Sequence, residues 1–279
     1  MRIYSFSKIL ALPFAGVFIY LLYLQFGLNY NIGLYLLIPV GIVFAIYFLS
    51  GDIDFWYLSK NPLDLDEPVI NWLIQFSPFY QNLTEQQKEK YNYRLSMYIV
   101  GRSFKSVGSE KKDLPTDFKA IIASQAVEVS WRTDDYLIGD YDYIFVYKHP
   151  FQTPRKQFLH TVETEFEDGV IIYSLEHLMP GITNPEMYYN IGRHAYAEAF
   201  IRVHPTKDYP ELADFTWQDI VQISGLSQEK IIQTLGFKEV DLLVILITCF
   251  FSYPEKFESV LPSQYVKLNT IFSNATSIE

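Results

Sequence analysis

Residues 190–200 read NIGRHAYAEAF. On a helical period, Ile191, Ala195, Ala199 and Val203 fall in one apolar stripe, which Tyr196 and Phe200 widen. His194, Ala197, Glu198 and Ile201 fall on the other side. His194 and Glu198 are four residues apart, so on a helix their side chains stand one above the other. Two readings follow. A His–Glu–Arg ladder (His194, Glu198, Arg202) on a helix face contributes only ~0.2–0.5 kcal/mol per pair. Alternatively, two side chains at this spacing can grip one divalent ion.

The second reading has a known form. In the zinc-binding pattern H-E-x-x-H the two histidines hold the metal, and the glutamate after the first takes a proton from the bound water. Here the corresponding residues are His194, Ala195 and Glu198. A methyl group accepts no proton. A carboxylate in place of the second histidine still offers oxygen to zinc or a harder divalent ion.

Around this stretch the spacing predicts helices over residues 69–79, 84–104, 115–129, 187–204, 227–235 and 239–251, with a last helix from about Pro262. Thr84 and Gln87 form a capping-box pattern. Tyr143–Tyr147 (YIFVY) and Val170–Ser174 (VIIYS) read as strands. The predicted class is therefore α+β, mostly helical with a small sheet.

The N-terminal part differs. Residues 9–26 and 32–49 are two uncharged runs of 18 residues each, separated by the polar turn GLNYN. Each comes close to the ~20 apolar residues that span a bilayer. Tyr4, Tyr30, Trp56 and Tyr57 flank them, as aromatic residues do at membrane interfaces. Arg2 and Lys8 precede the first run, and the turn has no positive charge. The expected organisation is a transmembrane hairpin over 1–50, a polar and aromatic linker over 51–68, and a cytoplasmic domain over 69–279. The sequons at Asn82 and Asn274 would then carry no glycan.

Composition removes several functions. The net charge of −10 argues against direct nucleic-acid binding. The single cysteine, Cys249, excludes an internal disulfide and a multi-cysteine zinc site. No serine-nucleophile elbow, phosphate loop or dinucleotide fingerprint occurs. His160, His177 and His204 are scattered, as surface or satisfied core histidines are.

Five segments in order resemble the Mlc titration factor A family of zinc-dependent peptidases. They are SPFYQNLTEQQKEKYNYRLSMYIVGRSFKSVG, LPTDFKAIIASQA, IFVYKHPF, DGVIIYSLEHLMPGITNPEMYYNIGRHAYAEAF and EVDLLVILITCFFSYPEKFESVLPSQY. The resemblance covers much of residues 70–272 and leaves out the N-terminal runs. It implies a zincin-like fold, with His194 and Glu198 on the first two metal-ligand positions and Asp241 on the third. Ala195 falls on the catalytic glutamate, Thr248 on a second acidic position, and Thr234 and Phe237 on a stretch that can supply a phenol. Asp241 has a bland reading too, as an exposed first-turn residue favoured by its helix N-terminus. The resemblance thus implies a degenerate, non-catalytic member in a bacterial inner membrane. It would retain at most one divalent metal, zinc, and bind a protein such as a transcriptional regulator. An active metallopeptidase with altered ligands and a purely structural membrane scaffold are the alternatives.

Overall fold

The computed structural model describes residues 5–108 and 113–272. Arg2, Tyr4 and Asn274 lie outside the described residues. The chain divides into two compact units, Met1–Asp64 and Leu65–Glu279.

In the first unit, α1 (Phe6–Leu22) runs on into a π-helical turn, Tyr23–Gly27. Together they make a 22-residue apolar helix with none of its apolar window buried. Among the described residues it is the one unbroken helix long and apolar enough to cross a membrane. The second apolar run forms a 3-10 turn, Gly33–Leu36, and α2 (Leu37–Phe48), which packs along α1. The chain then bends by 67° into α3 (Ser50–Lys60). The linker expected from residue 51 is therefore helical as far as Lys60. Its residues have no proline until Pro62, which disfavours the α conformation at Asn61 before it. Asp54 of α3 caps the start of α1. Its carboxylate accepts the Ser7 N–H at 2.6 Å and the hydroxyls of Ser7 and Ser5 at 3.0 and 3.1 Å. A carboxylate is well placed there, because the first-turn amides lack helical partners and carry the positive end of the helix dipole.

The second unit is α+β. It opens with α4 (Glu67–Phe76), α5 (Pro78–Gln81) and α6 (Glu85–Gly101). The single helix expected over 69–79 is split, because Pro78 starts a new one and Ser77 caps it. Thr84 and Gln87 form the capping box. Then come β1 (Ser103–Val107), α7 (Thr116–Val129), β2 (Tyr143–Tyr147), β3 (Val162–Glu165) and β4 (Val170–Ser174). The remaining helices are α8 (Leu175–Thr183), α9 (Ile191–Val203), α10 (Trp217–Ser224) and α11 (Gln228–Leu235). Last come α12 (Leu242–Ser252), α13 (Pro254–Val260) and α14 (Pro262–Phe272).

The sheet order is β1-β2-β4-β3. The first three strands are parallel, and β3 is an antiparallel edge. Phe104, Ile144, Val146, Ile171 and Tyr173 bury one face of the sheet, as the two-residue period of a strand requires. Helix α9 packs against β3, β4, α7, α8 and α12. It begins later than expected, at Ile191, because the Asn190 side chain accepts the Arg193 N–H and sets the boundary there. Tyr196 ties α9 to α6, its hydroxyl accepting from that of Tyr98 at 3.0 Å.

Gly236 ends α11 in the left-handed conformation, with φ +79°. A Cβ there would stand 2.5 Å from the Leu159 carbonyl oxygen and 2.8 Å from His160 Cα. Gly236→Ala should therefore destabilise the protein by about 1–3 kcal/mol, from backbone strain and collision together. Urea unfolding measures it, and an unchanged midpoint would contradict this packing.

Candidate functional site

His194 and Glu198 reach the site from α9, and Asp241 reaches it from the N-terminus of α12. All three line one pocket of about 410 Å³. Its other walls include Lys156, Phe158, Phe237 and Val244. The resemblance grouped these three residues as metal ligands, and the structure shows them lining one pocket.

Their surroundings differ from one another. His194 is buried, and its Nδ1 makes a 2.9 Å hydrogen bond with the Tyr189 hydroxyl. Burial, helped by the nearby Lys156 ammonium, pushes its pKa down to about 3, so the imidazole is neutral at neutral pH. Glu198 is half-buried, and burial raises its pKa. Its hydrogen bond with Thr164 of the edge strand and the charges of Lys156 and Arg202 pull the other way. Asp241 is exposed and caps α12, its Oδ1 accepting the Leu243 N–H at 2.9 Å. The first-turn reading of Asp241 is therefore the one the geometry supports.

Ala195 is fully buried and does not line the pocket. Thr248 is buried as well, and its hydroxyl bonds the Val244 carbonyl of its own helix. The phenol that reaches this site comes from Tyr189, five residues before His194. Sequence spacing gives no sign of it, because the turn from Asn184 to Asn190 brings it round.

Lys156 is the residue that sequence reading overlooked. It sits on a loop closed by mutual backbone hydrogen bonds between Phe151 and His160, both 3.0 Å. Within that loop Thr153 and Lys156 bond each other at 3.1 Å, through the Thr153 N–H and the Lys156 N–H. The Lys156 ammonium lies 3.7 Å from Glu163 and 5.0 Å from the centre of the Phe237 ring. Glu163 is held in turn by His160, whose Nε2 lies 2.8 Å from it while Nδ1 lies 2.8 Å from the Phe158 carbonyl. Burial disfavours charge on Glu163, but His160 and Lys156 outweigh it and hold its pKa below the usual range. Both ring nitrogens of His160 thus lie at hydrogen-bond distance from an oxygen. His160 is thus a satisfied core histidine and fastens the loop that presents Lys156.

A zinc ion is implied by the family resemblance, and the residues fit it poorly. Among the described residues, no three His, Cys, Asp or Glu side chains are grouped closely enough to hold one metal ion. Asp241 spends an oxygen on its own helix, and the pocket already contains a cationic side chain. No protein-family model matches the chain, and no curated protein matches it.

The buried His194 makes stability pH-dependent. Its folded pKa lies below the ordinary 6.5. Below pH 6.5 the unfolded chain therefore takes up a proton that the folded chain refuses. The contribution is complete above that pH and is lost progressively as pH falls toward 3. The raised pKa of Glu198 has the opposite sign and acts above its ordinary 4.5. Between pH 7 and pH 5 the loss from His194 amounts to ~2 kcal/mol. His194→Gln keeps a hydrogen-bonding partner for Tyr189 and should flatten that loss. Urea unfolding at the two pH values tests this, and an equally steep loss in the variant would refute it.

Proposed function

We propose that this chain is a membrane-anchored protein with the fold of the Mlc titration factor A-type peptidases, and that it binds a protein partner rather than cutting peptides. Its two apolar segments form a transmembrane hairpin in the inner membrane, with the N-terminus and the larger unit on the cytoplasmic side. The partner on this reading is a regulator, such as a transcriptional repressor. The observation that carries the proposal is the composition of one pocket. His194, Glu198 and Asp241 line it from the two helices that would carry ligands in such a peptidase, and Lys156 lines it with them.

The chemistry supports binding over hydrolysis. Metal-assisted hydrolysis needs a base within hydrogen-bond reach of the metal-bound water. The position that would supply it is a buried alanine. A lysine ammonium in the pocket repels a divalent cation and supplies positive charge of its own. Its loop is fastened to the sheet by His160 and Glu163, so the charge is a built feature of the pocket. The arrangement of a parallel sheet with an antiparallel edge, beside a buried helix bearing His194, is also consistent with the zincin-like reading.

The test is metal content together with activity. The full chain, purified in detergent, is expected to carry substoichiometric zinc and to show no chelator-sensitive peptide hydrolysis. Lys156→Ala is expected to tighten zinc binding by roughly tenfold, because it removes a like charge from the pocket. The proposal fails if wild-type protein hydrolyses peptides in a chelator-sensitive way and Glu198→Ala abolishes that activity.

A further inference from the structure

A second cavity of the larger unit lies away from His194 and has no part in the reading above. It measures about 550 Å³, within the range of small-molecule sites. Trp72 and Phe76 of α4, with Trp131 just after α7, give it an aromatic wall. These three rings are each only half-buried. The polar side of the cavity includes Glu128, Arg193 and Ser252.

That polar side is organised but incomplete. Glu128 is 2% exposed and has both oxygens occupied, one by the Ser77 hydroxyl at 2.9 Å and the other by the Arg193 guanidinium. It has no remaining need for a cationic ligand. Arg193 spends one terminal nitrogen on Glu128, while its Nε–H is buried without a partner. The Ser252 hydroxyl, on the last turn of α12, is also buried without a partner. Buried polar groups are nearly always bonded, so two such atoms on residues lining one cavity ask for a ligand. Arg193 Nε can only donate, and a serine hydroxyl can donate. What both can serve is an acceptor.

We infer that this cavity is a binding site for a small organic anion with an aromatic body, its carboxylate accepting from Arg193 and Ser252 and its ring lying against Trp72, Phe76 and Trp131. Carboxylate recognition by arginine supplies orientation, and the rings supply apolar contact.

The probe is 4-fluorophenylacetate, followed by fluorine NMR line broadening with the full chain in dodecyl maltoside micelles. Empty micelles serve as the blank, and 4-fluorobenzylamine as the cation of matching shape. The expected result is saturable broadening of the carboxylate at millimolar concentration or below, with none of the amine beyond the blank. Arg193→Met should weaken binding by about tenfold or more, the loss of a charge-assisted hydrogen bond. That variant leaves Glu128 without its ion-pair partner and is prone to misfold. Ser252→Leu, which fills the cavity from a half-buried position, is therefore the second variant and should abolish saturable broadening while the near-ultraviolet circular dichroism stays native. The inference is overturned if the carboxylate broadens no more than in empty micelles, if the amine binds as well, or if folded Ser252→Leu binds the carboxylate unchanged.

Discussion

Helix α9 is enclosed by the β3–β4 side of the sheet and by α7, α8 and α12, and the rest of the larger unit is arranged around that enclosure. Close approach from so many directions requires small side chains. Gly192, Ala195, Ala197 and Ala199 supply them. At Gly192 a Cβ would already stand 3.0 Å from both Gln125 and Leu178. Interiors are packed near crystal density, so each neighbour of α9 is positioned by these short contacts. The same constraint bears on chemistry. Ala195, the residue after His194, is fully buried. A carboxylate there would be a desolvated charge in a packed interface, which is costly unless paired.

Around the enclosed helix, charge is distributed with economy. His194 is kept neutral by burial, and Glu198 is disfavoured as an anion by the same cause. Into this pocket, which Lys238 also lines, the loop from Phe151 to His160 delivers the Lys156 ammonium, held by a buried carboxylate that is itself held by a histidine. A cation on a tethered side chain satisfies neighbouring acceptors without the coordination geometry that a metal demands. On the far side of α9 the polarity is arranged differently, with Arg193 and Glu128 neutralising each other beside aromatic rings. Neighbouring residues on one helix, 193 and 194, thus face two unrelated cavities.

Much of this was legible in order along the chain. The strands at 143–147 and 170–174 and the capping box at Thr84 were readable because they depend on side chains within a few residues of one another. The strands β1 and β3 were not. SFKSV and VETE carry polar residues on their open side, and only pairing with β2 and β4 makes them strands. His194, Glu198 and Asp241 were singled out by spacing and resemblance, and all three line one pocket. Lys156 and Tyr189 were not found, because loops and turns of no periodic pattern carry them there.

By itself, then, the sequence determined the local and compositional facts. These are two uncharged apolar runs at the N-terminus, an α+β succession with a helical majority, and a His–x–x–x–Glu spacing with an alanine after the histidine. Each depends on near neighbours or on residue identity, which a linear chain records directly. The tertiary structure alone decided that Lys156 shares the pocket, and that Arg193 and Ser252 line an aromatic cavity with groups unpaired. Those outcomes depend on burial and on contacts between residues tens of positions apart, where the cost of an unpartnered charge or donor is set by whatever the fold places beside it.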